Sequence, residues 1–478
     1  MLFIIPYNTL MIAYSKKLLP LFSVATLCLL FSCNKEFSSD NYIAYFGGEV
    51  VNPKSNYVLF LKNDEIIDTL FLNEKNQFFK QFDSLAPGMY TFKHDPEYQY
   101  VYFDKNDSLM VRINPVEFDE SIVFCGRGDE KNNFLMELYL KNQEDRSTMF
   151  DIFDYDTKKF QATIDASFKK NQNFYSKKKE NIKWNDDFDI YANATLQFHH
   201  NSKKEIYPIA HKLRTGKIIN DSLPKNYYDH RKNIDYNNVN LTNYSPFVRY
   251  LTYMMSNVSY SNVNSTNTTT EALEIHLHKL NIADTLFKSA KVKNKILNSV
   301  AFSYLLEDQN SENNAQFIKR FNDLSTDKES LEEINKLANS IKLLKVGAEL
   351  PEVSLLDLNG TKISSKSILK RKSVIFFWTS NASSHITACH KKAIDFQKAY
   401  PDYQFIAINI DDNHEEWIQL LKQYKFGVVN EFRAADFDDL KSKWAINKLQ
   451  RTIIIDQNGT IKNGFVNLFE VNFTNYLK

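Results

Sequence analysis

The fold of the C-terminal part of the chain is decided by residues 373–385, which read SVIFFWTSNASSH. The six residues from Ser373 to Trp378 form a continuous, largely apolar run, which predicts a strand in a sheet buried on both faces. A helix is predicted directly after the polar residues that follow, over about 384–400. A buried strand that leads straight into a helix indicates an α/β fold.

The same alternation continues towards the end of the chain. Further strands are predicted at 404–409, 452–456 and 461–466, and further helices at 415–424 and 436–444. Asn458-Gly459 marks a tight hairpin turn between the last two strands.

Four short segments of this part resemble the thioredoxin-like domain of TlpA-type thiol–disulfide oxidoreductases of the bacterial envelope. They read GAELP at 347–351, LDLNG at 356–360, FFWTS at 376–380 and IIDQNG at 454–459. Their order and spacing fit the family as well as their residue types. The resemblance covers residues 345–478 and implies a thioredoxin fold for that domain.

In that family the strand is followed by a Trp-Cys-x-x-Cys motif, whose first cysteine attacks a disulfide and whose second resolves the mixed intermediate. By the resemblance, Ala382 stands at the first cysteine and His385 at the second. Gln450 stands where the family has a cis-proline, six residues before Asp456, and a non-proline cis bond costs ~3 kcal/mol. We therefore expect that ordinary dithiol exchange is lost and that no cofactor is used.

Cys389 offers the main alternative, an oxidoreductase with a lone thiol. It lies four residues after His385, which could activate it, and it could also act together with Cys125. A cysteine one turn inside a helix is more often a small buried hydrophobe, and we expect burial. The peroxiredoxin pattern Pro-x-x-x-Thr-x-x-Cys does not precede Cys389. A metal site of His385, Cys389 and His390 would need further ligands, so no metal is expected.

Residues 1–33 read as an export signal. Lys16 and Lys17 precede a mostly apolar run at 18–31, which is too short for an ordinary transmembrane helix. Met11 gives a cleaner start than Met1. A plain secretory signal and a buried N-terminal helix are the alternatives to a lipoprotein signal.

LFSC at 30–33 resembles a bacterial lipobox, in which Cys33 would be lipidated and would become the first residue of the mature chain. Cys28 would leave with the signal. The membrane would then be a partner through the lipid, with the protein in the bacterial cell envelope. Asn34 rather than aspartate follows Cys33, which favours the outer membrane, with the protein facing the periplasm.

Two further regions precede the C-terminal domain. Residues 34–130 contain short predicted strands separated by turn signals, which indicates an antiparallel, sandwich-like β-rich domain. Residues 131–344 have helical periodicity, with Thr326 and Glu329 as a predicted capping box for one helix. The expected fold class is thus multidomain, with an N-terminal antiparallel β-rich domain, an all-α middle region and a C-terminal α/β thioredoxin-like domain.

These regions contain polar and aromatic residues that are candidates for a binding or metal site. Tyr98, Tyr100 and Tyr102 share one strand face, which predicts either a packed sheet face or an aromatic ligand site, with packing favoured. A group of histidines (His199, His200 and His211) completes no metal-ligand spacing that we recognise.

Composition limits the remaining choices. The 59 basic and 58 acidic residues give a net charge of +1, which excludes nucleic-acid binding driven by bulk charge. With 11 glycines in 478 residues, the chain has neither a P-loop nor a G-x-G-x-x-G run.

Because Ala382, His385 and Gln450 replace the motif cysteines and the cis-proline, we expect a non-catalytic binding or scaffold protein with an envelope protein or peptide as its partner. The predicted binding surface comprises Trp378, Asn381, His385 and Gln450.

Overall fold

The computed structural model describes residues 42–478, except 95–96, 116–117, 148, 263–269, 308–309, 428, 447 and 471. The predicted signal, including Cys28 and the predicted lipidation site Cys33, lies outside the described residues. Within them, no helix combines the length and the apolar character that crossing a membrane requires.

The N-terminal region is a β-sandwich of two four-stranded sheets. One sheet has the order β4-β1-β7-β8, and the other has the order β3-β2-β5-β6. The strands are β1 (Ala44–Val50), β2 (Tyr57–Lys62), β3 (Glu65–Phe71), β4 (Gln77–Phe82), β5 (Gly88–His94), β6 (Glu97–Phe103), β7 (Ser108–Ile113) and β8 (Val123–Arg127), with a short helix α1 (Phe118–Ser121) before the last. Neighbouring strands are antiparallel except β1 and β7, which are parallel. Phenylalanine rings fill the space between the sheets, and the ring centroids of Phe46 and Phe60 are 5.4 Å apart.

The middle region is helical, as predicted. Its helices are α2 (Asp129–Ser147), α3 (Met149–Ile152), α4 (Thr157–Ile182), α5 (Asp186–Thr215), α6 (Ser245–Asn262), α7 (Glu271–Leu286), α8 (Ala290–Glu307), α9 (Ser311–Leu324) and α10 (Lys328–Leu343). The predicted capping box is wrong by one residue, because Asp327 caps α10 and accepts a hydrogen bond from the N–H of Ser330. A charged carboxylate one position later is the stronger acceptor at a positive helix end.

The C-terminal region is built on a seven-stranded sheet with the order β10-β9-β13-β12-β11-β14-β15. Its strands are β9 (Ser354–Leu356), β10 (Lys362–Ser364), β11 (Ser373–Trp378), β12 (Gln404–Asn409), β13 (Asn430–Ala434), β14 (Arg451–Ile455) and β15 (Ile461–Asn467), and its helices are α11 (Ser365–Ile368), α12 (Ser383–Ala399), α13 (His414–Tyr424) and α14 (Phe437–Trp444). The predicted α/β fold is confirmed, and every residue of β11 is buried.

Both faces of this sheet are covered, as the apolar run of β11 predicts. On one face, Val374 and Phe376 pack against α12. On the other face, Ile375 and Phe377 belong to a core that also contains Trp444 and Ile341 of helices α14 and α10. The helical region therefore buries one face of the C-terminal sheet and fixes the position of that domain.

Candidate functional site

The segment between β11 and α12 is held in place by Asp411. One carboxylate oxygen accepts a hydrogen bond from the hydroxyl of Thr379, and the other accepts from the N–H of Ser380 at 2.6 Å. Asn409 Nδ2 donates to the same carboxylate at 2.9 Å. Asp411 follows β12, which is parallel to β11, so the two strand ends meet at one edge of the sheet. The loop after β11 is thus fixed by one carboxylate.

Helix α12 begins at Ser383, with Ala382 at the N-cap position. The methyl group of Ala382 accepts no hydrogen bond from the first N–H groups of the helix. These N–H groups and the helix dipole would stabilise a thiolate at this position. Ala382 supplies no thiol for them to activate.

The side chain of His385 forms a hydrogen bond with the backbone at the end of β11. Its Nε2 atom lies 3.1 Å from the carbonyl oxygen of Phe377, and since a carbonyl only accepts, Nε2 carries the hydrogen. Its ring also lies against Phe469, with 5.8 Å between ring centroids. Burial lowers the pKa of His385. A neutral histidine therefore ties α12 to the end of β11.

Trp378 does not lie on the protein surface, so its assignment to the predicted binding surface is wrong. Its side chain is fully buried, because the alternation of β11 places it with Val374 and Phe376 on the face covered by α12. Its indole N–H donates to Glu431 Oε2 at 3.3 Å. Glu431 Oε1 lies 3.0 Å from Nε2 of His390, and burial raises the pKa of Glu431.

Cys389 is 1% exposed, which confirms the predicted burial. Its thiol donates to the carbonyl oxygen of Ile386 at 3.3 Å, and burial raises the pKa of Cys389 to about 12. Cys125 is exposed on β8, and neither cysteine is in a disulfide. A thiol that holds its proton in this way is a poor nucleophile near neutral pH.

Gln450 lies beside the loop that precedes α12. It comes immediately before β14, whose antiparallel pairing places Thr452 opposite Phe376. The side chain of Gln450 is exposed, and its carbonyl oxygen accepts a hydrogen bond from the N–H of Leu468 at 3.4 Å. Asn381 is also exposed. Asn381, His385 and Gln450 therefore lie at one edge of the domain, with Phe469 next to His385.

The described part of the chain contains no group of three or more His, Cys, Asp or Glu residues that could hold a metal ion. His211 lies in the protein interior, where its Nδ1 atom is 2.8 Å from the carbonyl oxygen of Phe153. His200 packs against Phe168, and burial lowers its pKa to about 3. These two histidines pack in the helical region.

Of the three tyrosines on one face of β6, Tyr100 and Tyr102 pack on the helical region beside a cleft, whereas Tyr98 is exposed. Tyr102 is fully buried against Phe188 and Tyr191, and Tyr100 lies 4.9 Å from Tyr244 between ring centroids. The hydroxyl of Tyr102 has no hydrogen-bond partner within the described residues. These tyrosines line a cleft of about 320 Å³ between the sandwich and the helices.

Asp411 and Glu431 were missed from the sequence. A signal for Asp411 exists, since it follows an apolar strand in a sheet with parallel pairs, where side chains after neighbouring strands meet. Glu431 has no comparable signal, because it lies in β13, a short strand of largely polar sequence.

Comparison with known proteins locates the similarity in this domain. Residues 371–461 match a protein-family model described as thioredoxin-like. No curated protein is significantly similar in sequence to this chain.

Several solved structures resemble part of the chain. A proposed thiol-disulfide oxidoreductase from Bacteroides vulgatus is 20% identical, with 28% of this chain and 96% of that chain covered and a TM-score of 0.26. A domain of a proposed thiol-disulfide isomerase from Cytophaga hutchinsonii is 20% identical, with 28% and 92% covered and a TM-score of 0.25. The assignment of the domain rests on the family match together with the sheet order.

Proposed function

We propose that this chain, whose residues 371–461 form a thioredoxin-like domain, is an exported, lipid-anchored envelope protein that binds a partner without dithiol exchange. One observation carries the proposal: the helix that should begin with the reactive cysteine begins after Ala382. The cysteine of that helix, Cys389, is buried about two turns further in and keeps its proton. The fold persists while the groups that perform the chemistry do not.

The binding surface that we propose consists of Asn381, His385, Gln450 and the adjacent Phe469. Asn381 and Gln450 are exposed, and Phe469 exposes 37% of its surface. In the family that the sequence resembles, this edge holds an extended substrate strand. A partner peptide or envelope protein would use the same edge here, without forming a mixed disulfide. Crosslinking and pull-down of the lipidated protein from its native envelope would identify that partner.

An insulin-reduction assay on the chain that begins at Asn34 tests the loss of catalysis. We expect turnover no faster than in buffer. The competing function is an oxidoreductase that uses Cys389 as a lone thiol. Turnover that disappears in Cys389→Ser would establish that function and overturn the proposal, with Cys125→Ser as the matched control for the exposed thiol.

The lipid anchor is a separate part of the proposal and rests on the sequence of residues 16–33. The order of charges, apolar run and cysteine supports it. We expect Cys33→Ser to release the protein from membranes. A variant that stays on the membrane, together with an unlipidated wild-type protein, would contradict the anchor and the envelope location built on it.

A ligand site in the aromatic cleft is the second candidate function. The observation that favours it is the buried Tyr102 hydroxyl, which lacks a partner within the described residues. Native mass spectrometry of protein purified from its own envelope would detect a retained small molecule. We expect Tyr102→Phe to lose that molecule while it keeps the fold. Wild-type protein that carries no added mass would argue against the site.

A further inference from the structure

Arg451 is a buried cation at the junction between the C-terminal domain and the helical region. It is the first residue of β14 and is 7% exposed. The alternation of the strand places it on the same face as Ile453 and Ile455, which belong to the core shared with the helices. A guanidinium in such a place is costly unless it is paired, because burial removes its hydration.

The contacts of Arg451 supply no negative charge. Nε donates to the carbonyl oxygen of Gly464 at 2.9 Å, and Nη1 donates to the carbonyl oxygen of Ala445. The guanidinium stacks 4.0 Å from the centroid of the Phe465 ring. Nη2 is buried and has no hydrogen-bond partner within the described residues. Burial lowers the pKa of Arg451 to about 9.

A cavity of about 170 Å³ lies against this arginine. Its polar lining residues are Lys448, Gln450, Arg451 and Asn467, and Leu306 and Phe465 contribute apolar surface. Among the described lining residues there are two cations and no carboxylate. Lys448 and Gln450 are exposed and mark the side of the cavity that faces solvent. The described lining of the cavity is therefore positively charged and supplies no counter-charge.

We propose that this cavity binds a carboxylate group, with Arg451 as the buried donor and Lys448 at the mouth. A planar guanidinium matches a carboxylate in geometry and in unit charge, whereas a phosphate dianion would bring a second charge to one buried cation. The carboxylate could belong to a free small acid or to a peptide that lies along the edge near Gln450. The site does not depend on whether dithiol exchange is lost.

Thermal unfolding of the chain that begins at Asn34 tests the site at constant ionic strength near neutral pH. One arm compares sodium acetate with sodium chloride. The second compares the peptide acetyl-Ala-Ala-Ala with its C-terminal amide. We expect a saturable rise in Tm with acetate or the peptide acid and none with chloride or the amide. A response to the peptide acid alone assigns the carboxylate to a peptide. The absence of any saturable rise would overturn the proposal.

Variants locate the binding. Arg451→Met should abolish the response. Since that variant could fail to fold, Lys448→Gln provides a second test and should weaken binding about two- to fivefold, as expected for an exposed charge. Lys441→Gln, an exposed lysine of α14, is the matched control and should bind like wild type.

A further variant tests whether the chain supplies its own carboxylate to the cavity. Asp308, which lies outside the described residues, is two positions after the lining residue Leu306 in the sequence. Binding that is unchanged in Asp308→Asn supports an external carboxylate. Binding that is seen only in Asp308→Asn would overturn the proposal, because the chain would then supply its own counter-charge. An equal response in wild type and Lys448→Gln would also contradict the assigned site.

Discussion

The thiol of Cys389 lies 3.5 Å from Nδ1 of His390, yet the two groups do not form a nucleophile and its base. Nδ1 of His390 lies 2.7 Å from the carbonyl oxygen of Ile386, to which the thiol also donates. Because a carbonyl accepts only, Nδ1 carries a hydrogen and cannot take the thiol proton. Proximity alone therefore does not make Cys389 reactive.

Replacing Cys389 by alanine should change how stability depends on alkaline pH. Burial raises the pKa of Cys389 to about 12, so above ~9 the unfolded chain releases the thiol proton while the folded chain keeps it. Stability then falls as pH rises, by ~1.4 kcal/mol per pH unit for this group. Between about pH 8 and about pH 10, wild type should lose about 1 to 2 kcal/mol more than Cys389→Ala in urea unfolding. Parallel pH profiles would show that the thiol titrates normally in the folded state.

Glu431 should matter as a hydrogen-bonding group more than as a charge. It joins the indole N–H of Trp378 to Nε2 of His390 in a buried cluster, and burial raises its pKa. Glu431→Gln can keep both hydrogen bonds and should change the free energy of unfolding by less than about 1 kcal/mol.

Glu431→Ala leaves both partners unsatisfied and should cost about 2 to 4 kcal/mol. The exposed Glu333→Ala is the control and should stay within about 0.5 kcal/mol of wild type. A glutamine variant as unstable as the alanine variant would mean that the ionised carboxylate is essential.

Asp411 should be required for order in the loop before α12. Asp411→Ala removes the acceptor for Thr379 and Ser380 and should cost about 1.5 to 3 kcal/mol, the range for hydrogen bonds to a charged group. Hydrogen–deuterium exchange at the Ser380 amide should become at least about tenfold faster. The neighbouring exposed Asp412→Ala should leave that amide unchanged. Equal exchange in the two variants would show that Asp411 does not hold the loop.

The apolar strands of the C-terminal domain could be predicted because buried strands consist of continuous runs of largely apolar residues, as in Ser373–Trp378. Strand β13 was missed because Glu431 and Arg433 interrupt it, and they are buried through hydrogen bonds rather than through apolar character. Strand β1 has a weak sequence signal because it contains Gly47 and Gly48. A Cβ atom at Gly47 would lie 2.9 Å from the carbonyl oxygen of Phe78, so the close strand contact requires glycine.

The motif positions Ala382 and His385 could be found from the sequence, since the resemblance fixes their spacing. The side of the sheet on which Trp378 lies could not, because the five residues from Val374 to Trp378 are all apolar and none of them marks a solvent-facing side. Arg451 was likewise hidden, since only the packing of β14 against the helical region shows that its charge is buried.

Restoring the two motif cysteines provides the decisive comparison. In Ala382→Cys/His385→Cys, a thiol returns to the N-terminus of α12, and a second one follows at the spacing of the resolving cysteine. The variant should form a reversible disulfide, which thiol counting under oxidising and reducing conditions would detect.

Insulin reduction by this double variant and by wild type, measured side by side on the chain that begins at Asn34, tests the central claim most directly. Because Ala382 and His385 supply no thiol, we expect wild type to be no faster than buffer. We expect the double variant to be at least about tenfold faster, since it places a low-pKa thiolate at a helix N-terminus. Wild-type turnover equal to that of the double variant would contradict a non-catalytic role.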